Sequence, residues 1–139
     1  MYLLDTNILS YWMRGNEALI RRMEEYPPSE LSLSAVSLAE ILYGIEKSPI
    51  KKAERTRKIQ QIASQLDIYA LDEKAAPHYA VIRASLERKG CVISERDMQI
   101  AAIARANGFT LVTHNTREFH RIANLRVEDW VNGSLFSPK

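Results

Sequence analysis

Short apolar runs of strand length alternate with longer stretches of helical periodicity along this chain, and that alternation constrains its fold more than any other feature. The strand-like runs are Tyr2–Leu4, Leu31–Leu33, Ile68–Ala70 and Leu111–Thr113, with Arg126–Trp130 as a candidate last strand. Between them, apolar residues recur at three- and four-residue steps over Ile8–Arg14, Glu17–Tyr26, Leu38–Lys47, Lys51–Leu66, Glu73–Lys89 and Glu95–Asn107, the period of an amphipathic helix. Strands joined through helices pair in parallel, and a parallel sheet needs cover on both faces. The expected fold is α/β: a mostly parallel central sheet of four to five short strands, flanked by helices on both faces.

A chain of 139 residues with 46% hydrophobic content fits one domain, residues 1–139, that buries a core without disulfides or structural metal. The last stretch, from about 131 to 139, reads as a tail, and no internal repeat or second-domain boundary interrupts the chain. Nineteen basic against 17 acidic residues give a net charge of +2, which permits a polyanionic partner without requiring one. Cys91 is the single cysteine, so a disulfide framework and a multi-cysteine zinc site are excluded, and a reducing cytoplasm is the expected compartment. No apolar stretch approaches the roughly 20 residues that span a bilayer, and no basic segment precedes Tyr2, so neither a membrane anchor nor a signal peptide is expected. "KGCVIS" holds a lone glycine, which leaves P-loop nucleotide chemistry unsupported.

The first strand ends directly on an acid, in "YLLDTNIL". Open parallel sheets place their ligand crevice outside the carboxyl ends of the strands, so Asp5 stands where chemistry is done. Three later acids lie near helix starts: Glu40 in "SLSAVSLAEILYG", Asp97 in "CVISERDMQIAAIA" and Glu118 in "LVTHNTREF". Ser37-x-x-Glu40, Ser94-x-x-Asp97 and Asn115-x-x-Glu118 each resemble a helix-capping pair, and Asp5 could organise its own turn. Capping and catalysis are compatible, because the positive ends of helices can hold carboxylates that would otherwise repel each other. Four converging carboxylates need a cation, and their hard oxygens favour Mg²⁺ or Mn²⁺ over zinc. Such an ion activates water and stabilises a leaving oxygen, so phosphodiester hydrolysis is the natural reaction. Spacing along the chain does not show that the four acids meet.

The set "LLDTNIL", "SLAEILYG", "RKGCVISERDMQIAAIARANG" and "LVTHNTREFHRI…LRVEDW" resembles the PIN-domain nucleases, and specifically the VapC toxins of toxin-antitoxin pairs, from Tyr2 to Trp130. The resemblance implies a single PIN domain and a growth-inhibiting endoribonuclease that uses Mg²⁺ or Mn²⁺. It implies that Asp5, Glu40, Asp97 and Glu118 bind metal and activate water, supported by Thr6, Asn7 and Asn115. It also implies a transfer RNA or ribosomal RNA substrate, a cognate VapB-type antitoxin whose tail enters the acidic groove, and assembly as a homodimer and toxin-antitoxin hetero-oligomer. Relatives often read Asn-Asn where this chain has His114-Asn115, and Gly where Ser94 stands; His114 reads as a loop residue, an RNA contact or a proton carrier.

Two other classes compete. An aspartyl-nucleophile phosphatase would attack phosphorus with Asp5, but such chemistry wants an acid two residues on, and position 7 is Asn. A non-catalytic binding module would use the acids only to cap helices and receive a basic partner tail. "KKAERTRK" at 51–58, with Arg83, Arg88 and Lys89, reads first as a solvated face and second as a phosphate-binding rim. Tyr11, Trp12 and Met13 on the first helix read as core packing or as a surface for a partner segment. His78, His120 and Cys91 read as structural.

Overall fold

A computed structural model describes residues 1–131 of the chain. Five parallel strands run β1 (Tyr2–Leu4), β2 (Leu31–Ser34), β3 (Asp67–Tyr69), β4 (Thr110–Val112) and β5 (Val127–Glu128). Their order across the sheet is β3-β2-β1-β4-β5. Seven helices connect them: α1 (Thr6–Met13), α2 (Glu17–Met23), α3 (Ala35–Lys47), α4 (Lys52–Gln65), α5 (Ala75–Lys89), α6 (Glu95–Ala106) and the single turn α7 (Thr116–Phe119). The expected α/β architecture and parallel sheet are what the chain adopts.

Each strand alternates its side chains between two cores. Leu3 and Leu111 point into one, where α5 and α6 supply Ile82, Leu86, Ile100 and Ile103, and Phe119 and Ile122 close the end. Leu4, Leu33 and Val112 point into the other, packed by Leu9, Leu19, Ile45, Ile59 and Trp130 from the opposite layer. Central β1 therefore has both faces buried, which is why its three residues read as a continuous apolar run.

The topology fixes where the chemistry sits. The chain leaves β1 towards β2 on one side and later returns to pair β4 on the other, so the crevice at this change of direction opens at the carboxyl ends of β1 and β4. Backbone bonds fix those ends: Asp5 N donates to Val112 O at 2.9 Å, joining β1 to β4, and Thr113 N donates to Glu128 O at 2.9 Å, joining β4 to β5.

Sequence boundaries shift in one place that matters. The helix expected from Leu38 begins at Ala35, because Ser34, not Ser37, is its N-cap, accepting from Ser37 N at 2.9 Å. Val131, expected as the first tail residue, is buried in the second core; the remainder of the expected tail, 132–139, lies outside the described residues. The 51–58 segment is largely occupied within the fold. Arg55 donates to the carbonyls of Gly44, Ser48 and Ile50 at the end of α3, Lys52 pairs with Glu46, and Lys58 reaches Met13 O.

Phe119 is fully buried and anchors the α7 turn that carries Glu118. Phe119→Ala should cost about 3–5 kcal/mol of folding stability by opening a cavity under that turn; urea denaturation of the two proteins checks it.

Candidate active site

Asp5 is the N-cap of α1, and its Oδ1 accepts the Thr6 backbone N–H at 2.8 Å. The other oxygen accepts the Thr113 hydroxyl at 2.7 Å. With both oxygens held, the side chain is only 3% exposed. Burial pushes its pKa from the usual 3.8 up to about 6; the Thr113 and Thr6 hydrogen bonds pull down, and repulsion from Asp97 and Glu40 pushes up again. The electrostatic coupling answers the question that spacing left open: Asp5, Asp97 and Glu40 share one neighbourhood.

Glu40 lies in the second turn of α3, since the helix starts at Ala35. Its capping-box reading with Ser37 is therefore corrected: Ser37 is inside the helix and fully buried. Ser37 and Glu40, three apart, face the same way, and both meet Thr6. Thr6 Oγ1 lies 2.5 Å from Glu40 Oε1 and 2.9 Å from Ser37 Oγ. One hydroxyl proton serves one acceptor, so Thr6 donates to the carboxylate and accepts from Ser37. The second Glu40 oxygen pairs with Arg96 Nε.

Asp97 sits in the first turn of α6, with its backbone N–H capped by Ser94 Oγ at 3.1 Å. Burial is the main cause that raises its pKa; Ser94 and Arg96 lower it, and the charges of Glu118 and Glu40 add to the rise. Glu118 is on α7, where Asn115 Nδ2 donates to its Oε1 at 2.6 Å. Asn115 caps no backbone N–H of that turn, so this pair is a side-chain contact and not the expected cap. Asn115 N in turn donates to Thr113 Oγ1 at 3.0 Å, linking Glu118 to the hydroxyl that holds Asp5. Asn7 turns to the neighbouring loop, its Oδ1 accepting His114 N at 3.3 Å.

The carboxylates of Asp5, Glu40, Asp97 and Glu118 thus gather at the carboxyl end of the sheet: hydrogen bonds through Thr6, Thr113 and Asn115 link Asp5, Glu40 and Glu118, and Asp97 is coupled to them by charge. Among the described residues, no three acidic, histidine or cysteine side chains already close around one point as metal ligands do. The donor set nonetheless fits a hard divalent cation. It is all oxygen, its deepest member is nearly removed from water, and mutual repulsion raises two members.

The PIN domain family matches residues 2–125. The chain is 37% identical to the tRNA(fMet)-specific endonuclease VapC of Shigella flexneri over 129 residues, 93% of this chain and 97% of that protein. It is also 37% identical to Ribonuclease VapC2 of Haemophilus influenzae, over 94% of this chain and 98% of that protein. Among solved structures, VapBC2 from Rickettsia felis bound to a promoter DNA fragment superposes with a TM-score of 0.87 at 36% identity, covering 93% of this chain and 98% of that one. The chain belongs to the VapC family of PIN-domain ribonucleases.

Membership in the VapC family disfavours the phosphatase and binding-module readings, since these relatives are named as nucleases. The geometry also puts weight on two residues that sequence reasoning left out of the site, Thr113 and Arg96, and gives Ser37, read there only as a cap, a contact with Thr6. Thr113 was visible only as a strand residue, and its hydroxyl bond to Asp5 spans 108 positions. Arg96 carried a weak signal, a lone cation between Glu95 and Asp97. No helix among the described residues is long and apolar enough to cross a membrane.

The burial of Asp5 has a consequence for stability in the presence of a chelator. Its carboxyl ionises near 3.8 when unfolded and about 6 when folded, so between those values the folded state holds the extra proton and stability falls as pH rises. The shift corresponds to about 3 kcal/mol. Asp5→Asn should therefore stabilise the chelated protein by up to about 3 kcal/mol near neutral pH, and by little at about pH 4; urea unfolding at both values checks it.

Proposed function

We propose that this chain is a Mg²⁺- or Mn²⁺-dependent endoribonuclease that acts as the toxin of a type II toxin-antitoxin pair, with Asp5, Glu40, Asp97 and Glu118 as its cation ligands. The observation that carries this reading is the gathering of these carboxylates around a buried Asp5 whose pKa is pushed up to about 6. A hard divalent cation would supply Lewis acidity there, lowering the pKa of a water and offsetting charge at phosphorus. Asp5 is the buried member of the set, and Glu40, Asp97 and Glu118 are half-buried around it. Thr6, Thr113 and Asn115 aim the carboxylate oxygens, and Asn7 ties the 114 loop to α1.

Transfer RNA is the substrate class this reading favours, because the Shigella flexneri relative is named for it; ribosomal RNA is the other. Cleavage then falls in single-stranded loops, where the backbone is accessible. The partner is a VapB-type antitoxin, supported by the VapBC complexes among the structural neighbours. Half-buried Trp12 borders two clefts between α1, α2 and α4 that suit a partner segment. Exposed Leu42 and Tyr43 on α3 and Val81 on α5 support a homodimer formed through helices. The cytoplasm is the expected compartment for all of these partners.

Purified chain incubated with a transfer RNA fraction should yield discrete new ends in Mn²⁺ or Mg²⁺ and none in chelator. Asp5→Asn and Asp97→Asn should abolish them, and Thr113→Val should cost roughly 10–100-fold by loosening Asp5. Equal products from Asp5→Asn would identify a contaminating nuclease and overturn the reading.

A further inference from the structure

His114 stands between two residues that hold the carboxylates. Thr113 before it donates to Asp5, and Asn115 after it donates to Glu118. Its backbone N–H is fixed to Asn7 in the first turn of α1. The ring is fixed as well: Nδ1 lies 3.0 Å from Asp129 Oδ2, just beyond β5. The ring meets Tyr11 edge-on, with centroids 5.6 Å apart, and the Arg14 guanidinium lies over the other ring of that pair, 4.8 Å from the Tyr11 centroid. A carboxylate only accepts, so Nδ1 carries the hydrogen and Nε2 is the free ring nitrogen. Among the described residues no hydrogen bond occupies Nε2, and the side chain is 43% exposed.

The reaction needs a group of this kind. When a phosphodiester is cut, the ribose oxygen leaves as an alkoxide unless something protonates it, and a positioned acid is worth about 10²–10⁴-fold. Ionised carboxylates have no proton to give, and the Arg96 guanidinium does not release one. Asp5 has both oxygens engaged and is 3% exposed. Among the described residues bordering the acids, an imidazole is the group that ordinarily gains and loses a proton between pH 5 and 8.

We propose that His114, held by Asp129, is the proton donor to the ribose oxygen that leaves when RNA is cut at the acid cluster. The inference rests on the nuclease reading above. A water oxygen forms the new bond to phosphorus, and the bond from phosphorus to the ribose oxygen breaks. The donor is the doubly protonated ring, with one N–H at Nδ1 facing Asp129 and the other at Nε2; the departing electron pair takes the Nε2 proton and leaves the neutral ring protonated at Nδ1, the attacking water loses its proton to solvent, and Nε2 regains one from solvent. Asp129 is a positioning residue: by accepting from Nδ1 it leaves Nε2 as the ring nitrogen open to a substrate.

The test compares an oligoribonucleotide spanning the mapped cleavage site with the same oligonucleotide carrying sulfur in place of the leaving ribose oxygen, both in Mn²⁺. A thiolate leaves without protonation, so the sulfur substrate has no need of an acid. His114→Ala and His114→Gln should be slowed about 100-fold or more on the oxygen substrate and lose less than about tenfold on the sulfur one. Asp129→Asn should show a smaller loss with the same pattern. Mn²⁺ affinity, read by paramagnetic resonance, should be unchanged in all three, which separates proton donation from damage to the acid cluster. Equal losses on both substrates, no loss on either, or weakened Mn²⁺ binding would overturn the assignment. Failure of the unsubstituted protein to cut the oxygen substrate would instead overturn the nuclease reading beneath it.

Discussion

The structure turns on the burial of one carboxylate at the end of its central strand. Asp5 follows a strand whose two faces are both packed, and its side chain is almost entirely removed from water. Removing an ionised carboxylate from water is costly unless hydrogen bonds or opposite charge replace the solvent. The first helix begins at that point and lends an N–H and the positive end of its dipole. The fourth strand lends the Thr113 hydroxyl. These compensations are incomplete, since the pKa still stands at about 6. The remaining deficit is what a cation would relieve, so the same geometry that weakens the ligand-free protein prepares the proposed metal site.

The other acids are held by different means, and the differences follow from where the chain can place them. Asp97, like Asp5, stands at a helix N-terminus, but inside the first turn, where Ser94 and not Asp97 is the cap. Glu40 does not, because it lies a turn further along α3; it relies on Thr6 and on Arg96. Glu118 sits on a helix of one turn, too short for a useful dipole, and takes its partner from Asn115. Of the four carboxylates, Asp5 is held by a backbone N–H as well as a hydroxyl, and Glu40 and Glu118 are held by side chains.

Much of this was legible along the chain. The strands and helices follow from periodicity, because strands of the sheet interior carry short apolar runs or, in β2, leucines alternating with small serines, and covering helices show an apolar face. Asp5 stood out because an acid directly after a buried strand has few structural reasons to be there. Glu40 was found for the wrong local reason. In "SLSAVSLAE" Ser34 and Ser37 both offer a plausible cap, and the contest is decided by Ser34 being the last strand residue, which tertiary pairing alone fixes. Thr113 was beyond reach for the same cause: a hydroxyl bond between neighbouring strands leaves no pattern in either segment. Convergence of the acids came through resemblance, since strand order, not spacing, brings them together.

The basic residues of the 51–58 segment, read first as a solvated face, are mostly exposed in the fold, and several of them are engaged locally. In the 51–58 segment Arg55 is consumed in binding carbonyls at the end of α3, and Lys52 and Lys58 are paired with nearby acids. Arg83 is likewise engaged by Glu87 and Glu95. A run of cations along a sequence therefore says little about the field outside the protein. At the crevice the dominant charge is negative, and a bare carboxylate cluster repels a phosphodiester. Under the proposed function the cation must act before any chemistry, by reversing the sign of the field that RNA meets. A guanidinium can satisfy the same carboxylates, as Arg96 does at Glu40. A basic tail reaching this crevice would therefore compete with the ion and the RNA together.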